Sequence, residues 1–235
     1  MALATWWQGD SLPHLPPLSG FDVEVGADVD RIAALTSLGH DEVEARLGAG
    51  HRIHIAVVDG IPTSYGWVAT LASSIGELDV SFSLPAGDRY LWDFVTLPEW
   101  RGRGLYPRLL QAIISHELAA AQRFWIINAP ENAASGKGIA KAGFTPVGDL
   151  SFLRDRRVGS VAIADEERAR AGAALLGVDF LAAIQDGRLV SPCWRCVIEQ
   201  HTIHGAGGCW PETPNRSSSD CACVTNASAC AVGHQ

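Results

Sequence analysis

The sequence predicts an α/β (α+β) protein: a mixed, mostly antiparallel central sheet flanked by helices, with a cysteine-rich C-terminal extension. Three observations lead there. Residues 52–72, "RIHIAVVDGIPTSYGWVATLA", hold two β-rich runs around Asp59-Gly60, the strongest short hairpin signal in the chain. Residues 90–98, "YLWDFVTLP", form an almost continuous apolar run suited to a buried strand, and they lead through a glycine-rich turn into a helical apolar period. All six cysteines (Cys193, Cys196, Cys209, Cys221, Cys223 and Cys230) follow residue 192, so the chain has two compositional parts.

Taken in order, residues 1–20 read as an irregular arm, with prolines and the Trp6-Trp7 pair. "ADVDRIAALTSL" places Val29, Ile32, Ala33 and Leu35 near one helical face, and "HDEVEARLGAG" is a second short helix ending at Gly48 to Gly50. The Asp59-Gly60 hairpin follows, and then "LDVSFSLP" alternates like a strand with one polar face. Behind the buried run, "LPEWRGRGLYPRLLQAI" turns sharply and enters a helix expected from Tyr106 to Arg123. Leu109, Leu110, Ile113, Ile114 and Leu118 recur at helical spacing there, and Pro107 fits a first turn because its missing N–H costs nothing. "RFWIINA" is a further strand, "SGKGIAKAG" a short helix closed by Gly143, and "FTPVGDLSFLRDR" an antiparallel hairpin or edge strand. One more helix is expected after Asp165, a plausible N-cap followed by Glu166 and Glu167 in the positive first turn. The expected organisation is an arm at 1–20, a sheet-and-helix domain at 21–157, a helical and strand extension at 158–192, and the cysteine-rich tail at 193–235.

With 235 residues, 47% hydrophobic and 19% charged, the chain can bury a substantial core. No run approaches the ~18 uncharged apolar residues of a membrane span, and the start lacks the pattern of a signal peptide, so a cytoplasmic location is expected. The net charge of -8 argues against nucleic acid, because neutralising phosphates needs a surplus of Lys and Arg.

A glycine-rich turn between strand and helix is a recurrent phosphate cradle, since small residues expose consecutive N–H groups at a positive helix end. Arg101 and Arg103 add attraction. Gly-x-Gly-x-x-Gly fails here because Gly102-x-Gly104 is followed by Tyr106-Pro107, and no Gly-Lys-Ser/Thr supports a Walker loop. The turn instead resembles the Arg/Gln-x-x-Gly-x-Gly/Ala signature of the GNAT superfamily of acyl-CoA N-acyltransferases. Arg101, Gly104 and Tyr106 hold its three positions, an aromatic residue replacing the last small one. "NAASGKGIAKAGFTPVG" resembles the family's later element through Asn132, Ser135, Lys141, Gly143 and Phe144. Both motifs fall in the right order, and the resemblance spans roughly residues 28–154.

The resemblance implies a transferase of bacterial type, with acetyl-CoA as donor and a small-molecule or peptide amine as acceptor; a homodimer is a candidate assembly. It implies that the backbone of Phe94, Val95 and Thr96 holds the pantetheine arm. Gly102, Arg103, Gly104, Leu105 and Tyr106, together with Arg101 and Asn132, would hold the rest of the cofactor. Relatives commonly carry a Tyr as thiol protonator two residues before Lys141, but that place here is Ile139. For the base, Asp93 is the first choice, as a carboxylate on the central strand that would be partly desolvated; Glu77 and His54 follow. A structural role for Asp93 weighs equally, and Trp92, Phe94 and Trp100 read first as core. A non-catalytic acyl-CoA sensor whose tail is its output is the alternative function.

In the tail, Cys193 and Cys196 make one half of a tetrahedral zinc site, and two of His201, His204, Cys209 or Cys221 can supply the other. Three disulfides, or a thiol-rich segment that does not fold alone, compete with that reading.

Overall fold

In a computed structural model, which describes residues 1–129, 131–153 and 157–182 and the backbone of three short strands beyond them, the chain builds one large sheet. The elements are, in order, β1 (Ala2–Trp7), β2 (Phe21–Gly26), α1 (Val29–Thr36), α2 (His40–Gly48), β3 (Arg52–Val58), β4 (Ile61–Ala69), β5 (Ala72–Ile75), β6 (Val80–Ser83), β7 (Asp88–Thr96), α3 (Leu105–Glu117), β8 (Arg123–Asn128), α4 (Ala133–Ala142), β9 (Thr145–Leu153), β10 (Val158–Ala162), α5 (Glu166–Leu176) and β11 (Asp179–Leu181). The short strands β12 (Leu189–Ser191), β13 (Thr202–His204) and β14 (Gly208–Trp210) follow. The sheet runs β11-β10-β9-β1-β8-β7-β4-β3-β2, with β12 paired to β9, while β5–β6 and β13–β14 are separate hairpins. Its parallel pairs are β7–β8 and β10–β11; the other pairs are antiparallel.

Side-chain alternation explains the layers. On β3, Ile53 and Ile55 meet Ile32, Ala33 and Val43 of α1 and α2, whereas Ala56 points to the opposite core with Leu109, Leu110 and Ile113 of α3. Helices α3 and α4 therefore cover one face; α1, α2, the β5–β6 hairpin and α5 cover the other. The β3–β4 turn has Asp59 and Gly60 both at positive φ (51° and 79°), the pair a tight two-residue hairpin demands.

Several expectations are corrected. Residues 2–7 are not an irregular arm. They form a strand between β8 and β9, because Leu3 and Trp7 supply one core while Ala4 and Trp6 supply the other. Pro13, Pro16 and Pro17 all come later, outside any strand. β9 is interior rather than an edge, since the chain returns as β10 to pair with it. Helix α3 stops at Glu117 instead of reaching Arg123, which opens β8.

Candidate functional site

The site begins where two strands part. β7 and β8 pair from Asp88↔Arg123 to Leu91↔Ile126, after which β7 continues beside β4 to Thr96 and β8 beside β1 to Asn128. The flank of β7 from Trp92 to Thr96 that would face β8 is therefore outside the ladder. Such backbone groups call for another partner.

On its other flank β7 carries a bulge. Tyr65 pairs with Val95 and Trp67 with Trp92, so Gly66 alone faces both Asp93 and Phe94. Asp93 takes the left-handed conformation there (φ 51°), which Asp tolerates better than most residues. Glycine at position 66 is required: a Cβ would sit 2.0 Å from the Phe94 ring. The extra residue also reverses side-chain direction. Trp92 joins the core under α1, α2 and the β5–β6 hairpin, and Phe94 joins the core under α3.

Beside the parted strands lies a cleft of about 660 Å³ between β7, the turn after it, and helices α3 and α4. All the expected cofactor residues except Arg103 line it: Phe94, Val95, Thr96, Arg101, Gly102, Gly104, Leu105, Tyr106 and Asn132. Gly104 is the N-cap of α3 at φ 69° and offers no side-chain cap, so the first-turn N–H groups face outward with the positive end of the helix. Arg101 donates through Nε to the Thr96 carbonyl (3.1 Å), which ties the turn to the end of β7. Arg103 instead donates to the Glu99 carbonyl and stacks over Trp100 (4.5 Å). Asn132 caps α4 by accepting from the Ser135 N–H (2.9 Å). Lys137 and Lys141 also line the cleft; their i, i+4 spacing on α4 is the signal that could have singled them out.

Tyr106 does not disturb the cradle, because its ring turns inward between α3 and α4. Gly138 makes the room, since a Cβ there would lie 2.4 Å from the ring. The ring lies 5.3 Å from that of Phe94, and the hydroxyl is 3.2 Å from Ser135 Oγ. Burial pushes its pKa up to about 12, against the opposing bond to Ser135, so the hydroxyl keeps its proton through the neutral range.

The expected bases are placed differently. Asp93 is an ion pair rather than a desolvated carboxylate: Oδ2 accepts from Arg46 at 2.6 Å, with a third (34%) of the side chain exposed. Glu77 is exposed in the turn between β5 and β6 and does not line the cleft. His54 is fully buried under α3, with neither ring nitrogen hydrogen-bonded among the described residues; its ring is 5.8 Å from that of His116. Burial drops its pKa to about 4, despite the nearby Glu117 carboxylate. Among the expected metal ligands, Cys193, Cys196 and His201 lie outside the described residues, and His204 and Cys209 are described only as backbone of β13 and β14. Among the described residues, no cluster of His, Cys, Asp or Glu could hold a metal, and no helix is long and apolar enough to cross a membrane.

No protein-family model matches the sequence, and no curated protein matches it. Solved structures do. A GCN5-related N-acetyltransferase from Kribbella flavida aligns at 18% identity and TM-score 0.43, over 62% of this chain and 53% of that one. A GNAT-family acetyltransferase from Colwellia psychrerythraea aligns at 15% and 0.43, over 62% and 52%. The fold is similar to that of GNAT acetyltransferases. An aminoglycoside N-acetyltransferase in complex with CoA aligns at 20% and 0.45, over 61% and 99%. The chain spans about half the length of the Kribbella and Colwellia GNAT proteins.

Proposed function

We propose that this chain is an N-acyltransferase that moves an acetyl group from acetyl-CoA to a primary amine on a small molecule by direct attack. The observation that carries this reading is the parting of β7 from β8 beside the bare N-terminus of α3. The flank of Phe94, Val95 and Thr96 outside the β7–β8 ladder, where the Thr96 carbonyl alone is met by Arg101, suits the two amides of a pantetheine arm. The N–H groups from Gly102 to Tyr106, with Arg101, Lys137, Lys141 and Asn132, suit a pyrophosphate. When bound, the thioester supplies an acyl carbonyl open to attack.

The chain's own groups then divide the work. Backbone N–H groups near the bulge polarise the carbonyl oxygen. Asp93, held by Arg46 at the bulge between Trp92 and Phe94, takes the amine proton. Tyr106, protonated and packed on Phe94, is the donor to the departing thiolate, the role that Ile139 cannot fill because it is an apolar side chain buried in the core. Amide and free thiol are the products. Glu77 and His54 have no part in it.

Calorimetric titration with acetyl-CoA, followed by mass detection of N-acetylated amines, tests the reading. Saturable 1:1 binding and a new amide are expected; absence of acetyl-CoA binding overturns it. The buried Ile139 favours a second reading, a non-catalytic acyl-CoA sensor, and tight binding with no amide formed from any amine would select that one.

A further inference from the structure

A second cleft, of about 650 Å³, opens on the other side of β7, and the acyl-donor reading leaves it unused. Its floor is Trp92, one wall is the C-terminal half of α2 with Arg46 and the following His51, and the other is the β5–β6 hairpin. Along β7 the two clefts are separated only by Asp93: Phe94 lines the first and Trp92 the second. The left-handed bulge therefore carries the strand from one cleft to the other.

The lining is chemically specific. Among the described residues Arg46 is its one charged side chain, and that charge is already met by Asp93 (2.6 Å) and Glu42 (2.9 Å) while the guanidinium lies over Trp92 (4.5 Å). A polycation finds no spare carboxylate here, and a carboxylate finds no spare cation. His51 accepts the Trp92 indole N–H through Nδ1 (3.1 Å), so the neutral ring carries its proton on Nε2 as a further donor. The same bond fixes the indole. Across the floor, Ser74 and Ser81 are paired in register and Ser83 follows two residues on, giving one hairpin face a row of hydroxyls that both donate and accept.

We propose that this cleft receives the acceptor, and that the acceptor is an amino sugar: an uncharged hydroxylated ring bearing a single amine. The inference rests on the acyl-transfer reading and deepens it. The amine lone pair forms the new C–N bond, the C–S bond breaks with its electron pair going to sulfur, and the amine proton passes to Asp93 while the thiolate takes one up to leave as free thiol.

The full chain, supplied with acetyl-CoA and with glucosamine, spermidine or alanine at equal concentration, gives the test, read as N-acetylated product by mass. Glucosamine is expected to exceed both others in kcat/KM by at least about tenfold. Preference for spermidine or alanine, or inertness of all three while calorimetry still shows acetyl-CoA bound, overturns the acceptor class and leaves the donor site standing. Failure to bind acetyl-CoA overturns the reading beneath it instead. Ser81→Trp, at an exposed strand position, then tests the location. The KM for glucosamine should rise at least about tenfold with acetyl-CoA affinity within about twofold of the parent; an unchanged KM overturns it.

Discussion

The two clefts that flank β7 are about equal in size but are built in opposite ways. The α3/α4 cleft draws its described lining from two short stretches, 94–107 and 132–141. The α2/β5–β6 cleft assembles residues 45–51, 72–83 and Trp92, which come together only when α2 and the hairpin fold over the sheet. The first uses mainly backbone, a helix end and glycine, which recognise a constant group. Over the Trp92 indole, the second uses serine hydroxyls and an imidazole, which can be changed without disturbing the strands beneath. A shared donor site and a variable acceptor site would be expected to divide this way.

The sharpest test of that division lies on the residue between them. Asp93→Asn keeps the left-handed backbone, which Asn also accepts, and keeps an oxygen for Arg46, but it removes the proposed base. We expect kcat to fall by about 10²- to 10⁴-fold with donor and acceptor binding each within about threefold; an unchanged kcat in steady-state assays takes Asp93 out of the chemistry. The next effect belongs to the donor cleft alone. Gly104→Glu places a β-carbon at φ 69° and a negative charge at the end of α3, and calorimetry should show acetyl-CoA affinity at least about 100-fold weaker. Circular dichroism should be unchanged because the turn is exposed. Smaller again, Tyr106→Phe retains the ring contacts with Phe94 and Gly138 and loses only the hydroxyl, so kcat should fall about tenfold with acetyl-CoA affinity unchanged. A loss of affinity in place of kcat would make Tyr106 part of the cradle only.

The same contrast governs what could be read from the chain. Arg101, Gly104, Asn132 and Lys141 mark the α3/α4 cleft because the turn and α4 have local geometry, which short spacing encodes. Asp93 was legible as a strand residue beside that turn, but its ion pair was not. Arg46 is 47 positions away and reaches it only because α2 packs against the Trp67 and Trp92 indoles. β1 was illegible for a related reason: Leu3, Ala4, Trp6 and Trp7 are apolar on both faces, as an interior strand must be, so they show no alternation to distinguish a strand from an apolar arm. The bulge, too, depends on Gly66 and Asp93 meeting across two strands.

The smallest expected effect separates the clefts by pH. Burial, and then the positive Arg46, hold the His51 imidazole below its ordinary range, so it is more than half neutral at pH 6.5, where a free histidine would be half protonated. When it does take a proton, Nδ1 becomes a donor and can no longer accept from the Trp92 indole, so the floor of the α2 cleft loses its fixed geometry. Groups around it on the neighbouring elements act the same way or not at all: Arg46 stays charged, and the serines do not titrate. Because the amine itself also protonates as pH falls, the measurement should use glucose, which keeps the hydroxylated ring without the amine, as an inhibitor competitive with the acceptor. Its Ki should be flat through neutral pH and rise a fewfold only below the ordinary imidazole range, while acetyl-CoA affinity shows no matching step. In His51→Asn the rise should disappear. A Ki that climbs in the variant as in the parent would place the titrating group elsewhere, and a parallel step in acetyl-CoA affinity would mean that the two clefts are not independent across Asp93.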